Sequence, residues 1–529
     1  MNRFICQVVV LAALLAGGFV PTARAQNLDQ IGVTLLRAMA TNVDGSGICV
    51  AQPEASAPAF EVKPAAVGQP TNLFTYASAA GTATNYPNSV GTESGHADSV
   101  GANFYGLTGY GVATNVAHVD NYDADYFITN YVFNLAPMPA ASVVNESYTF
   151  SEQSISDQQQ IDSAYDDYAA QYQTLFVSAA NNYGTYNPPS SYSTTNVVPP
   201  GTSYNNISVG AYLNGTFHNS LGPTLDNGRC KPDITALSDV TSFSTPQVAG
   251  AAAVLLQAAL RGDGGGDTNA ASDLRTIKAL LLNGAVKPAD WTNSNSAPLD
   301  ARYGAGVLNV FNSYEQLAGG EQVFCASKAV ALGAAHPPVA VTNTISTTSG
   351  WDAEIISSSA TNDAVNHYFF NVSNGMATAT LVWNRQSGET NINDLDLFLF
   401  NAANSNLVAC STSRVDNVEH IFMPRLAAGR YDLQVLKNGG TNVVSDAEVY
   451  ALAWAFVSPA LQIAKTGTNA AVSWSVYPAG FRVETATNLA APAWVTNALP
   501  SSSITNSRNS LIVNATNALK FFRLRQPNF

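Results

Sequence analysis

Charge is scarce in this chain. Only 11% of its 529 residues are Asp, Glu, Lys or Arg, and the basic ones are the rarer kind, 23 against 37, for a net charge of −14. So acidic a chain offers no electrostatic footprint for nucleic acid or an anionic membrane, and neither is expected as a partner. Asn, Thr, Ser, Ala and Gly stand where charges usually do, which reads as the uncharged polar surface of an exported protein. Long hydrophobic runs are also missing: past the N-terminal stretch none reaches the ~18 apolar residues of a membrane span. That first stretch reads differently. Met1-Asn2-Arg3 is a short positive start, Val8 to Val20 an apolar segment and Ala23-Arg24-Ala25 an A-x-A site, so residues 1–25 are expected to be a signal peptide and Gln26 the first mature residue. Cysteine is sparse as well. Past the signal only Cys49, Cys230, Cys325 and Cys410 remain, an even number that permits two disulfides in three possible connectivities and fits no zinc spacing.

What is present begins with Thr241-Ser242-Phe243-Ser244-Thr245-Pro246-Gln247-Val248-Ala249-Gly250. A hydroxyl at the head of an apolar segment running to Leu260 implies a buried helix with Ser242 at its N-terminus. There the backbone N–H groups and the helix dipole favour developing negative charge. Ser is also an ordinary N-cap residue, so this stretch alone is open to a structural reading. Gly95-His96-Ala97-Asp98-Ser99-Val100 sets one of only six histidines between a Gly-rich turn and a small-residue segment. Leu175-Phe176-Val177-Ser178-Ala179-Ala180-Asn181-Asn182 is an apolar strand that ends in small residues and a side-chain amide. Gly45-Ser46-Gly47-Ile48-Cys49-Val50-Ala51-Gln52-Pro53-Glu54 is another strand, ending in an acid.

These four segments resemble the motifs of subtilisin-like (S8) serine proteases: G-T-S-x-x-x-P-x-V-A-G, H-G-T-H-V-A-G, V-x-x-A-A-G-N-x-G and V-A-V-I-D-T-G. Their order along the chain, acid then His then Ser, is also the subtilisin order. The resemblance implies Ser242 as nucleophile, His96 as general base, and Asn182 with the Ser242 N–H as the oxyanion hole. It implies Glu54 as the orienting carboxylate, with Asp44 in Val43-Asp44-Gly45-Ser46 as the alternative acid. Four departures stand out: Val240 for the glycine before Thr-Ser, Ala97-Asp98 for Gly-Thr, Asn181 for a glycine whose left-handed backbone Asn tolerates, and Glu54 for Asp. Ser142-Val143-Val144-Asn145-Glu146-Ser147-Tyr148 resembles the substrate strand V-I-N-x-S-x-G, which puts Ser147, Tyr148 and Thr149 beside the S1 pocket, with a polypeptide substrate docking by strand addition. The implied fold is an α/β three-layer domain with a mainly parallel sheet over residues 26–320. The implied function is a secreted serine endopeptidase working through an acyl-enzyme, with no cofactor needed for the chemistry and the oligomeric state left open. The departures leave an alternative, an impaired protease-like core acting as a secreted or cell-surface binding module. Between Ala25 and the acid strand there is no room for the family's propeptide, so the chain is expected to fold unaided.

After Ala318-Gly319-Gly320 helical patterns give way to strands of period two. Residues 321–457 resemble the jelly-roll β-sandwich that follows the catalytic domain in some bacterial S8 proteases, through L-x-W, N-D-L-D-L, N-x-E and G-x-Y-x-[LV]-x-V. In Asn393-Asp394-Leu395-Asp396-Leu397 the two acids share a sheet face, roughly 7 Å apart, and with Glu419 they are candidate ligands for a structural Ca²⁺. Residues 458–529 carry five short strands and suit a small immunoglobulin- or fibronectin-like β domain.

Overall fold

The computed structural model describes residues 27–55, 57–151, 153–182, 196–490, 493–496, 508–514 and 520–525; the expected signal peptide and Gln26 lie outside them. Strands of the first body are, in chain order, β1 (Cys49–Glu54), β2 (Ala59–Glu61), β3 (Phe74–Ser78), β4 (Gly81–Ala83), β5 (Thr92–Glu93), β6 (His118–Asp123), β7 (Val143–Glu146), β8 (Leu175–Ala179), β9 (Ile207–Leu213), β10 (Thr216–Phe217) and β11 (Ile234–Leu237). β2 and β5 make a small ribbon, and the others one nine-stranded sheet ordered β10-β9-β8-β7-β1-β6-β3-β4, with β11 also on β9. The interior pairs are parallel and the edge pairs β3–β4 and β9–β10 antiparallel. Its central strands are buried almost end to end, as parallel strands covered on both faces must be.

Helices supply the cover. They include α1 (Val33–Met39), α2 (Gly95–Phe104), α3 (Ile155–Tyr172), α4 (Thr241–Leu260), α5 (Leu274–Gly284) and α6 (Val310–Ala318). α4 is long and apolar enough to cross a membrane, but it is buried on nearly every side in this core and packs on β7, β8, β9 and β11. On the other face Tyr165, Tyr168 and Ala169 of α3 share a core with Ala51, Val144 and Phe176 of the sheet. The chain leaves β1 toward β3 and β6 on one side, and β7, β8 and β9 follow on the other. The order therefore switches direction between β1 and β7, where α/β sheets open a crevice at the carboxyl ends of their strands.

Nine antiparallel strands follow: β12 (Ala326–Ala331), β13 (Ser349–Ser357), β14 (Asn362–Val372), β15 (Gly375–Trp383), β16 (Leu395–Asn401), β17 (Leu407–Ser411), β18 (Val418–Leu426), β19 (Gly429–Lys437) and β20 (Ala447–Val457). They form two sheets, β12-β14-β19-β16-β17 and β13-β20-β15-β18, around a shared core of Tyr368, Leu397, Leu399, Leu433, Trp383, Leu452 and Trp454. Two small three-stranded sheets of residues 462–525 follow, around Val472, Trp474, Val483 and Leu511.

The four-stranded sheet is covered on its outer face too where the first body packs on it, although Ile355 of β13 stays exposed. In Ala451-Leu452-Ala453-Trp454 the large residues point into the sandwich, while Ala451 and Ala453 join the core of the first body with Val382, Val418 and Trp351. Small side chains on that face let α5 lie directly on β15 and β20. Polar groups lock the junction. Arg385 N donates to Asn205 Oδ1 at 2.9 Å, Asn205 Nδ2 returns a bond to Arg385 O at 3.1 Å, and Arg385 Nη2 sits 2.8 Å from Asp166 Oδ2 on α3.

The disulfides permitted by the cysteine count do not form: Cys49, Cys230, Cys325 and Cys410 are all free thiols. Cys49 opens β1, Cys230 precedes Lys231 in a loop, Cys325 precedes β12 and Cys410 lies in β17, so the fold gives them no common meeting point.

Arg385→Ala strips a buried carboxylate of its cation, and breaking such a pair costs about 3–5 kcal/mol. The denaturant midpoint of the full chain is expected to fall accordingly, and Arg385→Ala with Asp166→Asn to recover part of the loss. An unchanged midpoint in the single variant would show the junction to be energetically idle.

Candidate active site

The first turn of α4 lacks a cap of its own. Val240 precedes it in extended conformation (φ −143°), so no glycine geometry is needed there, and its side chain has no oxygen to offer. Asn182, just past β8, does the work instead: its Oδ1 accepts from Thr241 N at 2.8 Å and from Thr241 Oγ1 at 3.0 Å. Because a backbone N–H can only donate, the atom facing it must be the amide oxygen, which leaves Nδ2 as a donor with no acceptor among the described residues. Asn181 supplies the left-handed turn before it at φ 73°. Among the described residues the Ser242 N–H has no acceptor either.

Pro246 imposes a second requirement. It lies inside α4 and has no N–H, so the Ser242 carbonyl four residues earlier loses its helical partner. Ser147 Oγ takes that place at 2.9 Å, and itself accepts from Asn145 Nδ2 at 3.0 Å. In return the Ser242 hydroxyl donates to Ser147 O at 3.4 Å. The head of α4 and the segment that follows β7 are thus joined directly.

Glu54 ends β1 and is buried. Its Oε2 lies 2.7 Å from His96 Nδ1, and its Oε1 accepts from Gln52 Nε2 at 2.8 Å. Gln52 is held in turn by the Tyr105 hydroxyl at 2.5 Å and by a bond to Ala97 O at 3.0 Å. His96 is the second residue of α2, whose Ser94 cap accepts from Ala97 N. Burial pulls the imidazole pKa down, but the Glu54 charge and hydrogen bond outweigh it and leave it raised. The ring packs on Phe243, centroids 5.9 Å apart, which brings it beside the residue after Ser242. No His96–Ser242 hydrogen bond is made. Gly250 holds α2 and α4 together: a Cβ there would meet Val112 Cβ at 2.6 Å and the Phe104 carbonyl at 3.2 Å.

Other residues singled out from the sequence fall elsewhere. Asp44 closes a local turn by accepting from Ser46 N at 3.3 Å and does not contact His96. Asp98 accepts from Lys63 N at 2.7 Å, and burial, opposed by that bond, pushes its pKa up to about 6. Thr149 is half-buried beyond Ser147. Tyr148 is not a wall of the S1 pocket: it is buried, with its hydroxyl on Glu146 Oε1 at 2.8 Å and 3.4 Å from Tyr165 OH. The proposed calcium ligands do not form a centre, and among the described residues no three His, Cys, Asp or Glu side chains converge as one. Asp396 accepts from Asn438 Nδ2, whereas Glu419 belongs to the opposite sheet and spends its oxygens on Ser411 Oγ and Ser413 N. Gln52, Asn145 and Tyr105 were missed. Gln52 was within reach, because residues two apart on a strand share a face.

Residues 79–306 match the model of the subtilase family, Peptidase_S8, a span that includes His96, Asn182 and Ser242 and begins after Glu54. No curated protein matches the sequence. Among solved structures, tripeptidyl peptidase 2 is similar over 82% of this chain and 52% of its own, at 12% identity and a TM-score of 0.33, so the chain spans about half that protein's length. A GH2 beta-galacturonidase from Eisenbergiella tayi covers 31% of this chain and 29% of its own, at 9% identity and a TM-score of 0.13. A beta-D-glucuronidase of Dictyoglomus thermophilum covers 29% and 31%, at 9% identity and 0.11. TM-scores this low carry no argument. The family match takes in the histidine, the amide and the serine: residues 79–306 are similar to the subtilase family.

Proposed function

We propose that this protein is a secreted serine endopeptidase in which Ser242 is the nucleophile, His96 the general base and Glu54 the orienting acid. The observation that carries this reading is the 2.7 Å contact of the buried Glu54 carboxylate with His96 Nδ1. It fixes the tautomer that leaves Nε2 free to accept a proton. An extended polypeptide adds along residues 147–149, past the end of β7. Its approach displaces the Ser242 hydroxyl from Ser147 O toward His96, a bond that commonly tightens only once substrate is bound. Ser242 Oγ attacks the carbonyl carbon as His96 Nε2 takes its proton. The oxyanion draws on the Ser242 N–H and on Asn182 Nδ2, and the proton passes to the leaving amine as the acyl-enzyme forms. Water, activated by the same imidazole, then releases the acid. None of these steps calls on a cofactor. Cleavage is read as internal because strand addition engages backbone and needs no chain end, and export rests on the pattern of residues 1–25. The sandwich is read as a jelly roll and the last module as immunoglobulin- or fibronectin-like.

One observation favours a second reading. Ser242 Oγ donates to Ser147 O and not to His96, as an impaired core carrying two binding modules would permit. Active-site labelling separates the two. The wild-type protein should react with a fluorophosphonate and cleave unfolded casein, and Ser242→Ala should do neither. A wild type that does not label would establish the impaired core. Labelling that survives in Ser242→Ala would move the nucleophile, Ser244 being the nearest hydroxyl.

The acid has its own signature. A protonated imidazole cannot accept the serine proton, so a raised His96 pKa sets the acid limb of kcat/KM above the ordinary histidine value of about 6.5. Glu54→Gln leaves burial as the main influence on His96 and should move that limb to lower pH. It should also cut kcat by about 10⁴-fold, as loss of the orienting carboxylate does in a serine-protease triad. Full activity in Glu54→Gln would remove Glu54 from the mechanism.

A further inference from the structure

The strand that carries Ser147 has two faces. Asn145 and Ser147 turn toward the head of α4. Glu146 and Tyr148 turn the opposite way, into the core beneath α3, as alternation along a strand requires. Glu146 is fully buried, and both its oxygens are in use: Oε1 accepts from the Tyr148 hydroxyl at 2.8 Å and Oε2 from Ser178 Oγ at 2.7 Å. Ser178 stands opposite Glu146 on the neighbouring strand β8, the strand that runs on to Asn182. Its hydroxyl also accepts from Asn206 Nδ2 at 3.2 Å. One carboxylate therefore ties the strand leading to Ser147 to the strand leading to the oxyanion amide.

Its surroundings are neutral. Tyr148 faces it from its own chain segment, Ser178 from β8 and Tyr165 from α3, and among the described residues no cation pairs with it. Burying a carboxylate without a cation is costly, and an apolar side chain would make a cheaper core at this position. We propose that Glu146 is a positioning residue of the peptidase site, which by bridging Tyr148 and Ser178 sets the spacing between the wall that carries Ser147 and the wall that carries Asn182, and that the site is competent only while this carboxylate is ionised. The inference rests on the serine-peptidase reading. An ionised carboxylate accepts from both hydroxyls at once. A protonated one must donate from one oxygen, and the bridge then loses one of its two bonds or reverses it.

Burial, opposed by the Ser178, Tyr148 and Tyr165 hydroxyls, raises the Glu146 pKa to about 7. The protonated form is thus the one the fold prefers. Its contribution to stability is full below the ordinary value of 4.5 and is lost as the pH rises through about 7. Glu146→Gln should therefore be no less stable than wild type above that range, which separates a positioning role from a structural one.

The test is the pH dependence of kcat and KM for the full-length protein on a fluorogenic peptide, with fluorophosphonate labelling in parallel. For the wild type, log kcat should fall on the acid side with a limiting slope of two, one proton for His96 and one for Glu146. In Glu146→Gln the slope should drop to one and kcat by about 10²-fold, the loss expected from misplacing a reacting group by about 1 Å, with KM little changed and the thermal midpoint held or raised. Tyr148→Phe removes one donor from the carboxylate and should move the second ionisation to higher pH; it decides the matter if Glu146→Gln folds poorly. Wild-type slope and kcat in Glu146→Gln, or both ionisations unmoved in Tyr148→Phe, would overturn the proposal while the peptidase reading stands. A wild type that neither labels nor cleaves would take both away.

Discussion

Ser147 Oγ donates to the Ser242 carbonyl because Pro246 has no N–H to give it. That bond joins two residues 95 positions apart in the chain, and much of the site is arranged around the same helical turn. Asn182 is fastened to Thr241, one residue before Ser242. His96 leans on Phe243, one residue after it. An ordinary helix start would satisfy its first N–H groups from its own N-cap and its carbonyls from its own next turn. Here Val240 cannot cap and Pro246 cannot donate, so the missing partners come from the ends of β7 and β8. A site assembled in this way inherits the rigidity of the sheet, which is what a preorganised oxyanion hole needs.

The acid side meets the same demand by different means. Glutamate is one methylene longer than aspartate and has one more torsion to fix. Gln52 fixes it by occupying Oε1, and Tyr105 and Ala97 fix Gln52. The carboxylate therefore cannot swing, and its second oxygen is held at His96 Nδ1. Tyr105 stands just past α2 and Ala97 inside it, so the helix that carries the histidine also anchors the partner of its acid.

The sandwich takes part in this scaffold. α5 covers one face of its four-stranded sheet, and Asn205 and Asp166 hold Arg385 close to β9 and α3. With α5 lying on β15 and β20, that sheet would expose apolar surface if the first body were removed, and the reverse holds for α5. The two units are consequently one folding problem, in contrast to modules joined by a polar linker.

Residues at the ends of elements were legible in the sequence, because local chemistry marks them: a serine heading an apolar segment, an amide after a strand, an acid closing one. Residues between those marks were not. Tyr148 was placed in the substrate pocket by its rank in a motif, yet alternation puts it opposite Ser147, on the face with Glu146. Asp394, Asp396 and Glu419 carry the right atoms for calcium, but the sequence does not say that Glu419 lies across the sandwich with its oxygens already engaged. Four thiols permitted disulfides by number alone, and number does not bring sulfurs together. Glu146 was passed over for the opposite reason. It fills a position where the motif accepts any residue, so pattern matching gives it no weight, whereas a buried carboxylate without a cation stands out as soon as its partners are named. Motifs record the groups that touch substrate. The groups that space the walls of the site have to be read from what burial would otherwise cost.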